Sequence, residues 1–431
     1  MKLGCGWHLC VRDGGELQFD SYTTGNIEPK IAVYGPKDGS DYNTTAWHPM
    51  FEVGSGGLVT IPANSVISLG HTDNNVYLKV TGGTLKFDAP NSYLRFGNGT
   101  ATSSGEVYLE SGTLSLGQSI IRAHGSDASY PLGTNRITRG KFIWSGGTLK
   151  LNSHFNSGYI FDMAPGCYSS TYWQMNGLLR VSAQIIGENC VLDLSDMQRD
   201  SVTNVPPVLD QAEWYGHGTL TVKGGKELVM NSVPDGFSLK LEGDGTRVTV
   251  PEGAYAYDYD ECIAHRNHKD YDFGKTYSVT NKAVAALSVA SYTLAGTNCG
   301  FNVTRANLPV TVTNTTVAAG GDWNGAVALS AAGGLTAENL IFENGALLSV
   351  PYCCGETVAF PVAGTLTLPQ TLDVRTVPAG TAAVSGTTVF TAEDGIDGAP
   401  AWNLLTGRFR RVAIEGNAVK VYPVGTMFSV R

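Results

Sequence analysis

Apolar and polar residues alternate over short stretches of this chain, and glycines interrupt the alternation at recurring points. Gly14-Gly15-Glu16-Leu17-Gln18-Phe19 returns as Gly82-Gly83-Thr84-Leu85-Lys86-Phe87, Ser111-Gly112-Thr113-Leu114-Ser115-Leu116 and Gly146-Gly147-Thr148-Leu149-Lys150-Leu151. Looser copies are Gly216-His217-Gly218-Thr219-Leu220-Thr221-Val222 and Ala363-Gly364-Thr365-Leu366-Thr367-Leu368. Alternating stretches precede several copies: Val76-Tyr77-Leu78-Lys79-Val80, Val107-Tyr108-Leu109 and Phe142-Ile143-Trp144. Each unit therefore reads as strand, tight glycine turn, strand. A period of two buries one face and wets the other. It predicts Leu85, Leu114, Leu149, Leu220 and Leu366 as an inward aliphatic ladder. Thr84, Thr113, Thr148, Thr219 and Thr365 fall outward, where β-branched residues suit a pleated surface. The glycines supply backbone conformations that other residues reach only at a cost.

A strand–glycine–strand unit can be a hairpin, or it can be a corner around which the chain turns before the next coil stacks on it. Leu85, Leu114 and Leu149 lie 29 and 35 residues apart. Uneven intervals of this size fit coils of a solenoid with inserted loops. A sandwich would place strands every 8–12 residues or so, without a recurring corner. The expected fold is all-β, a single-stranded parallel β-helix (β-solenoid) with loop insertions.

Two segments leave the rhythm. Residues 196–216, with Val205-Pro206-Pro207, Asp210, Glu213, Trp214 and Tyr215, read as a loop off the stack. Residues 253–277, rich in Tyr, Asp and His, read as a larger insertion. The division is then 1–252, Gly-rich coils; 253–277, the insertion; 278–375, acidic Ala/Val/Thr-rich coils; and 376–431, a C-terminal β cap. The cap rests on Phe409-Arg410-Arg411-Val412-Ala413-Ile414, Gly416-Asn417 and Val419-Lys420-Val421, a hairpin pattern that would close the open end of the stack.

Composition agrees with many turns and little helix. Glycine supplies 53 of 431 residues, about 12% against a typical 7%, and charged residues only 16% against about 25%. The formal net charge of −9 argues against nucleic acid, which needs a basic face. Between Arg305 and Arg375 there is no Lys or Arg, while Asp322, Glu338, Glu343, Glu356 and Asp373 lie there, which reads as a lightly charged solenoid face. No apolar run reaches the 18 or so residues of a membrane span, so no membrane insertion by this chain is expected. No secretory signal is legible at Met1-Lys2-Leu3-Gly4-Cys5-Gly6-Trp7, and the chain is expected to be a fragment or a mature region. The eight cysteines match no CxxC pair or zinc ribbon and read in part as buried free thiols.

The richest polar cluster lies in the insertion. Asp258, Asp260, Cys262, His265 and His268 offer a candidate metal set, with Zn or Ca as the ion, although no cofactor is required by the reading. Tyr257 and Tyr259 interleave these carboxylates, and with Trp214 they are the candidate glycan-stacking residues. Gly216-His217-Gly218 invites comparison with β-helical polygalacturonases. Those enzymes also need paired aspartates before that element and Arg-x-Lys after it; here there is no Asp-Asp pair, and Arg139-Gly140-Lys141 lies on the wrong side. Asp193, Asp196, Arg199 and Asp200 are loop residues of an ordinary kind, and no catalytic residue is assigned.

The glycine-rich copies, together with Leu405-Thr406-Gly407, Glu415-Gly416-Asn417 and Pro423-Val424-Gly425-Thr426 near the end, resemble the strand repeats of autotransporter passenger-like, pectin-lyase-like β-helix proteins of bacterial surfaces. The resemblance covers about residues 14–250 and 330–431. It implies a right-handed coil, export, and a surface or adhesive role; the membrane β-barrel of that family does not follow here. The expected function is a non-enzymatic extracellular scaffold or adhesin that meets host or environmental glycans, or other surface proteins, through its loops. The alternative is a polysaccharide lyase or glycoside hydrolase on the same fold, and a third reading is a phage tailspike-like receptor binder.

Overall fold

A computed structural model describes residues 2–3, 8–19, 28–33, 50–69, 75–90, 92–96, 103–122, 138–155, 158, 160–163, 181–198, 206–209, 212–215, 218–231, 233, 236–256, 282–283, 285–352, 359–378, 387–406 and 409–424. The protein is all-β with parallel sheets, an architecture compatible with a β-solenoid. Among the described residues the one helix is the single turn Gly325–Ala328, and none is long and apolar enough to cross a membrane. The chain divides into two compact units, one formed mainly by residues 1–221 and the other mainly by residues 284–431.

In the first unit, successive passes of the chain place strands in three parallel rows. Strands His8–Val11, Met50–Gly54, the first half of Asn75–Phe87, the first half of Ser103–Leu116 and Thr138–Trp144 form one row. Across the glycine corner, Glu16–Gln18, Leu58–Ile61, the second halves of the two long strands, Gly147–Leu151 and Cys190–Asp193 form the next. Glu28–Val33, Ser65–Leu69, Tyr93–Phe96, Ile120–Arg122 and Phe161–Met163 form the third. The corner reading thus prevails over the hairpin, because neighbouring copies of the repeat pair in parallel: Leu85 opposite Leu114, and Leu114 opposite Leu149.

The alternation places the side chains as expected. Leu85, Leu114, Leu149, Leu220 and Leu366 have no exposed surface, while the threonine before each is partly exposed. Each buried leucine contributes about 1.5–3 kcal/mol relative to exposure. The corner itself demands glycine. Gly112 has φ +78°, and a Cβ there would lie 2.2 Å from the Gly83 carbonyl oxygen of the preceding coil. Backbone packs directly on backbone at this point, so even a methyl group has no room.

The second unit repeats the device with different residues. Leu287–Ala295, Val310–Val317 and Leu335–Phe342 pair in parallel, as do Arg247–Val250, Gly300–Val303 and Leu329–Ala331. A third row runs Asp322–Trp323, Leu347–Tyr352, Thr371–Pro378 and Ala401–Leu404. Thr387–Ala392 pairs in parallel with Phe360–Val362 and antiparallel with Ala418–Pro423, which forms a hairpin with Phe409–Glu415. The expected C-terminal hairpin is present, and it occupies a sheet edge that would otherwise present unpaired backbone groups. Glu415 anchors its outer face, accepting hydrogen bonds from Tyr422, from Arg411 at 3.0 Å and from Lys420 at 3.1 Å.

Candidate functional site

The outward face of the first row in the first unit gathers the most varied chemistry. Its inward columns are Phe51–Leu78–Val107–Phe142 and Val53–Val80–Leu109–Trp144, all buried. Because side chains alternate along each strand, the positions between these face out. One outward column is Met50–Tyr77–Glu106, and the next is Cys10–Glu52–Lys79–Tyr108. The ladder therefore brings residues about 29 positions apart in sequence into side-by-side contact.

These side chains form one continuous network. The Tyr77 and Tyr108 rings lie 6.0 Å apart, inclined at 52°. Lys79 Nζ sits 5.1 Å from the Tyr108 ring centre, within cation–π range. The Tyr108 hydroxyl donates to Glu106 Oε2 at 2.6 Å. Beside them, Glu52 accepts from Thr81 Oγ1 at 2.8 Å and meets His8 Nε2 at 2.9 Å. Partial burial, followed by the hydrogen bond to Glu106 and its negative charge, pushes the Tyr108 hydroxyl well above the usual phenol value, so it stays a donor. Partial burial works to raise the Glu52 carboxyl. Hydrogen bonds from Thr81 and His8, with the charges of His8 and Lys79, outweigh this and hold it below the usual value. The face thus presents two partly exposed phenol rings, an ammonium group and the Glu52 carboxylate, while Glu106 is buried and serves the Tyr108 hydroxyl.

The sequence-derived candidates fall elsewhere. Trp214, expected on a loop, lies in the strand Ala212–Tyr215. It is the register partner of Ala183, which in turn is the register partner of Phe142. Its neighbours Glu213 and Tyr215 are the register partners of Ser182 and Gln184. Tyr257, Tyr259, Asp258, Asp260, Cys262, His265 and His268 lie outside the described residues, as does His217. The insertion that carries the first seven is bracketed by an antiparallel pair, Tyr255–Ala256 with Lys282–Ala283. Asp193 accepts from the Ser195 amide and hydroxyl, and Asp196 pairs with Lys150 at 2.7 Å, so both are structural partners. Of the cysteines, Cys190 and Cys299 are buried free thiols that donate to carbonyls of earlier coils, Trp144 and Gly243, at 3.1 Å each.

A second polar group lies in the second unit. Arg375 donates to Asp322 at 2.7 Å and to Ser349 Oγ at 2.8 Å. Asp322 is fully buried; its other oxygen and the Trp323 ring nitrogen have no protein partner among the described residues. The cation that ends the Arg-free stretch thus neutralises the stretch's first carboxylate.

Sequence reasoning did not single out Tyr77, Glu106 and Tyr108 as a site. The signal was present as outward residues at matching offsets before the glycine corners, four before Gly83 for Lys79 and four before Gly112 for Tyr108.

No protein-family model, no curated protein and no solved structure matches the chain.

Proposed function

We propose that the protein is a non-enzymatic extracellular scaffold or adhesin that contacts glycans through the outward face built on Glu52, Tyr77, Lys79 and Tyr108. One observation carries the reading: two partly exposed tyrosine rings stand in adjacent columns of a parallel sheet, with the Lys79 ammonium group over the Tyr108 ring and the buried Glu106 carboxylate holding the Tyr108 hydroxyl. A sugar presents C–H faces to rings and hydroxyls to charged groups, so such a face offers both halves of its recognition. The strands are fixed by their ladder, so little ordering cost remains at binding. The finer fold in this proposal is the right-handed parallel β-helix. Connections between parallel strands of one sheet are right-handed in about 98% of cases, which supports that hand.

The test is a glycan-array screen run beside a cleavage assay on acidic and neutral polysaccharides, with and without Ca²⁺. Binding without cleavage is expected. Cleavage would replace the scaffold by the lyase or hydrolase alternative, and neither binding nor cleavage would sink the glycan-contact reading.

A further inference from the structure

His8, Cys10 and Glu52 stand together at the edge of that face, and their donor atoms all lie within 4.8 Å of one another. The arrangement follows from the strand. His8 and Cys10 are two apart on one strand and so project to the same side. Glu52 is the register partner of Cys10 on the next strand. We infer that His8 Nε2, Cys10 Sγ and Glu52 Oε2 form a binding site for a divalent transition metal ion, Zn²⁺ being the natural occupant.

Four features support the assignment. The donor set, one imidazole, one thiol and one carboxylate, is the mixture that Zn²⁺ accepts. Ligands about 2.0–2.3 Å from a shared ion stand about 3.3–3.8 Å apart in a tetrahedron. His8 and Glu52 stand slightly closer than that, at 2.9 Å, and all three donor atoms lie within 4.8 Å of one another. Modest side-chain rotations would replace the His8–Glu52 hydrogen bond by two bonds to the ion. The carboxylate is also held in place, since Thr81 donates to its second oxygen, Oε1, and leaves Oε2 toward His8. Such support of a ligand by its neighbours is what tunes a metal centre. The His8 side chain is 46% exposed, so a fourth coordination position opens to solvent, and a water or a ligand oxygen can take it.

The test titrates the reduced full chain with Co²⁺ as a spectroscopic probe and with Zn²⁺ against a chromophoric chelator. One tight site with a thiolate-to-cobalt charge-transfer band is expected. Cys10→Ser should abolish the band, Glu52→Gln should weaken Zn²⁺ binding at least about tenfold, and Thr81→Val about tenfold. Cys262→Ser, in the other Cys/His cluster, should leave the band intact. His8→Gln on the exposed face repeats the test if Cys10→Ser fails to fold. A band that survives Cys10→Ser, a band lost in Cys262→Ser, or no band in the wild type overturns the inference.

Discussion

In the first unit an inward column runs Phe51–Leu78–Val107–Phe142, and in the second an inward column runs Val289–Val312–Ala337–Val362; all eight residues are buried. The columns facing outward differ. The first unit shows Tyr77–Glu106 and Glu52–Lys79–Tyr108, whereas the second shows Ser291–Asn314–Asn339 and Thr293–Thr316–Ile341. In the second unit the exposed amides bond to one another, Asn339 Nδ2 donating to Asn314 Oδ1 at 3.2 Å while its own oxygen accepts from the Thr365 amide at 3.3 Å. That outer ladder consumes its own hydrogen-bonding groups, and it carries no ring. The first unit's outer face offers rings and charges. Inward residues thus specify stacking, and outward residues are free to carry function, which a shared fold does not dictate.

The comparison is broken most severely at the corners. Gly112→Ala combines positive φ with overlap against the Gly83 carbonyl and should cost about 3 kcal/mol or more. Gly320→Ala, in the second unit, has φ +79° with no atom within 4 Å, and should cost only about 1–2 kcal/mol. Urea denaturation of the two variants measures the gap, and equal losses would show that backbone contact is not what the corner requires. Next in size, Arg375→Met strands the buried Asp322 carboxylate and should cost about 3 kcal/mol, the low end for a broken buried pair because the Arg375 side chain is 32% exposed.

The buried thiols should behave alike in both units. Burial pushes the Cys190 and Cys299 thiols up to about 11 from the ordinary 9.0. A raised folded value means that the unfolded chain loses its thiol proton first. The stabilisation is therefore intact below about pH 9 and is lost as pH rises through about 11. Cys190→Ala and Cys299→Ala should each flatten part of that decline in urea melts across this window. A decline unchanged in both variants would assign it to other groups. The smallest effect is Asn339→Ala, which removes exposed ladder bonds and should cost about 1 kcal/mol with no effect on glycan binding.

The inward ladder and the parallel stacking were legible in the sequence because both follow from local rules. Period two chose the buried leucines, and glycine marked the corners. The C-terminal hairpin was legible for the same reason, since Phe409–Glu415 and Ala418–Pro423 adjoin a two-residue turn. What stayed hidden depends on register between distant strands. Arg375 and Asp322 are 53 positions apart, and nothing local joins them. Tyr77 meets Tyr108 only once Leu78 is set opposite Val107. Pro206-Pro207 suggested a loop around Trp214, yet Ala212–Tyr215 joins the ladder, because pairing along an existing sheet outweighs a breaker several residues upstream.

The most direct test of the account compares affinity for the best array glycan among three proteins: wild type, Tyr77→Ala/Tyr108→Ala, and Asn314→Ala/Thr316→Ala. Loss of both rings should weaken binding by at least about tenfold, while the second-unit variant should bind as wild type does. Undiminished binding without the two tyrosines, in a protein that still folds, would contradict the claim that the first unit's outward face is where the protein meets its ligand.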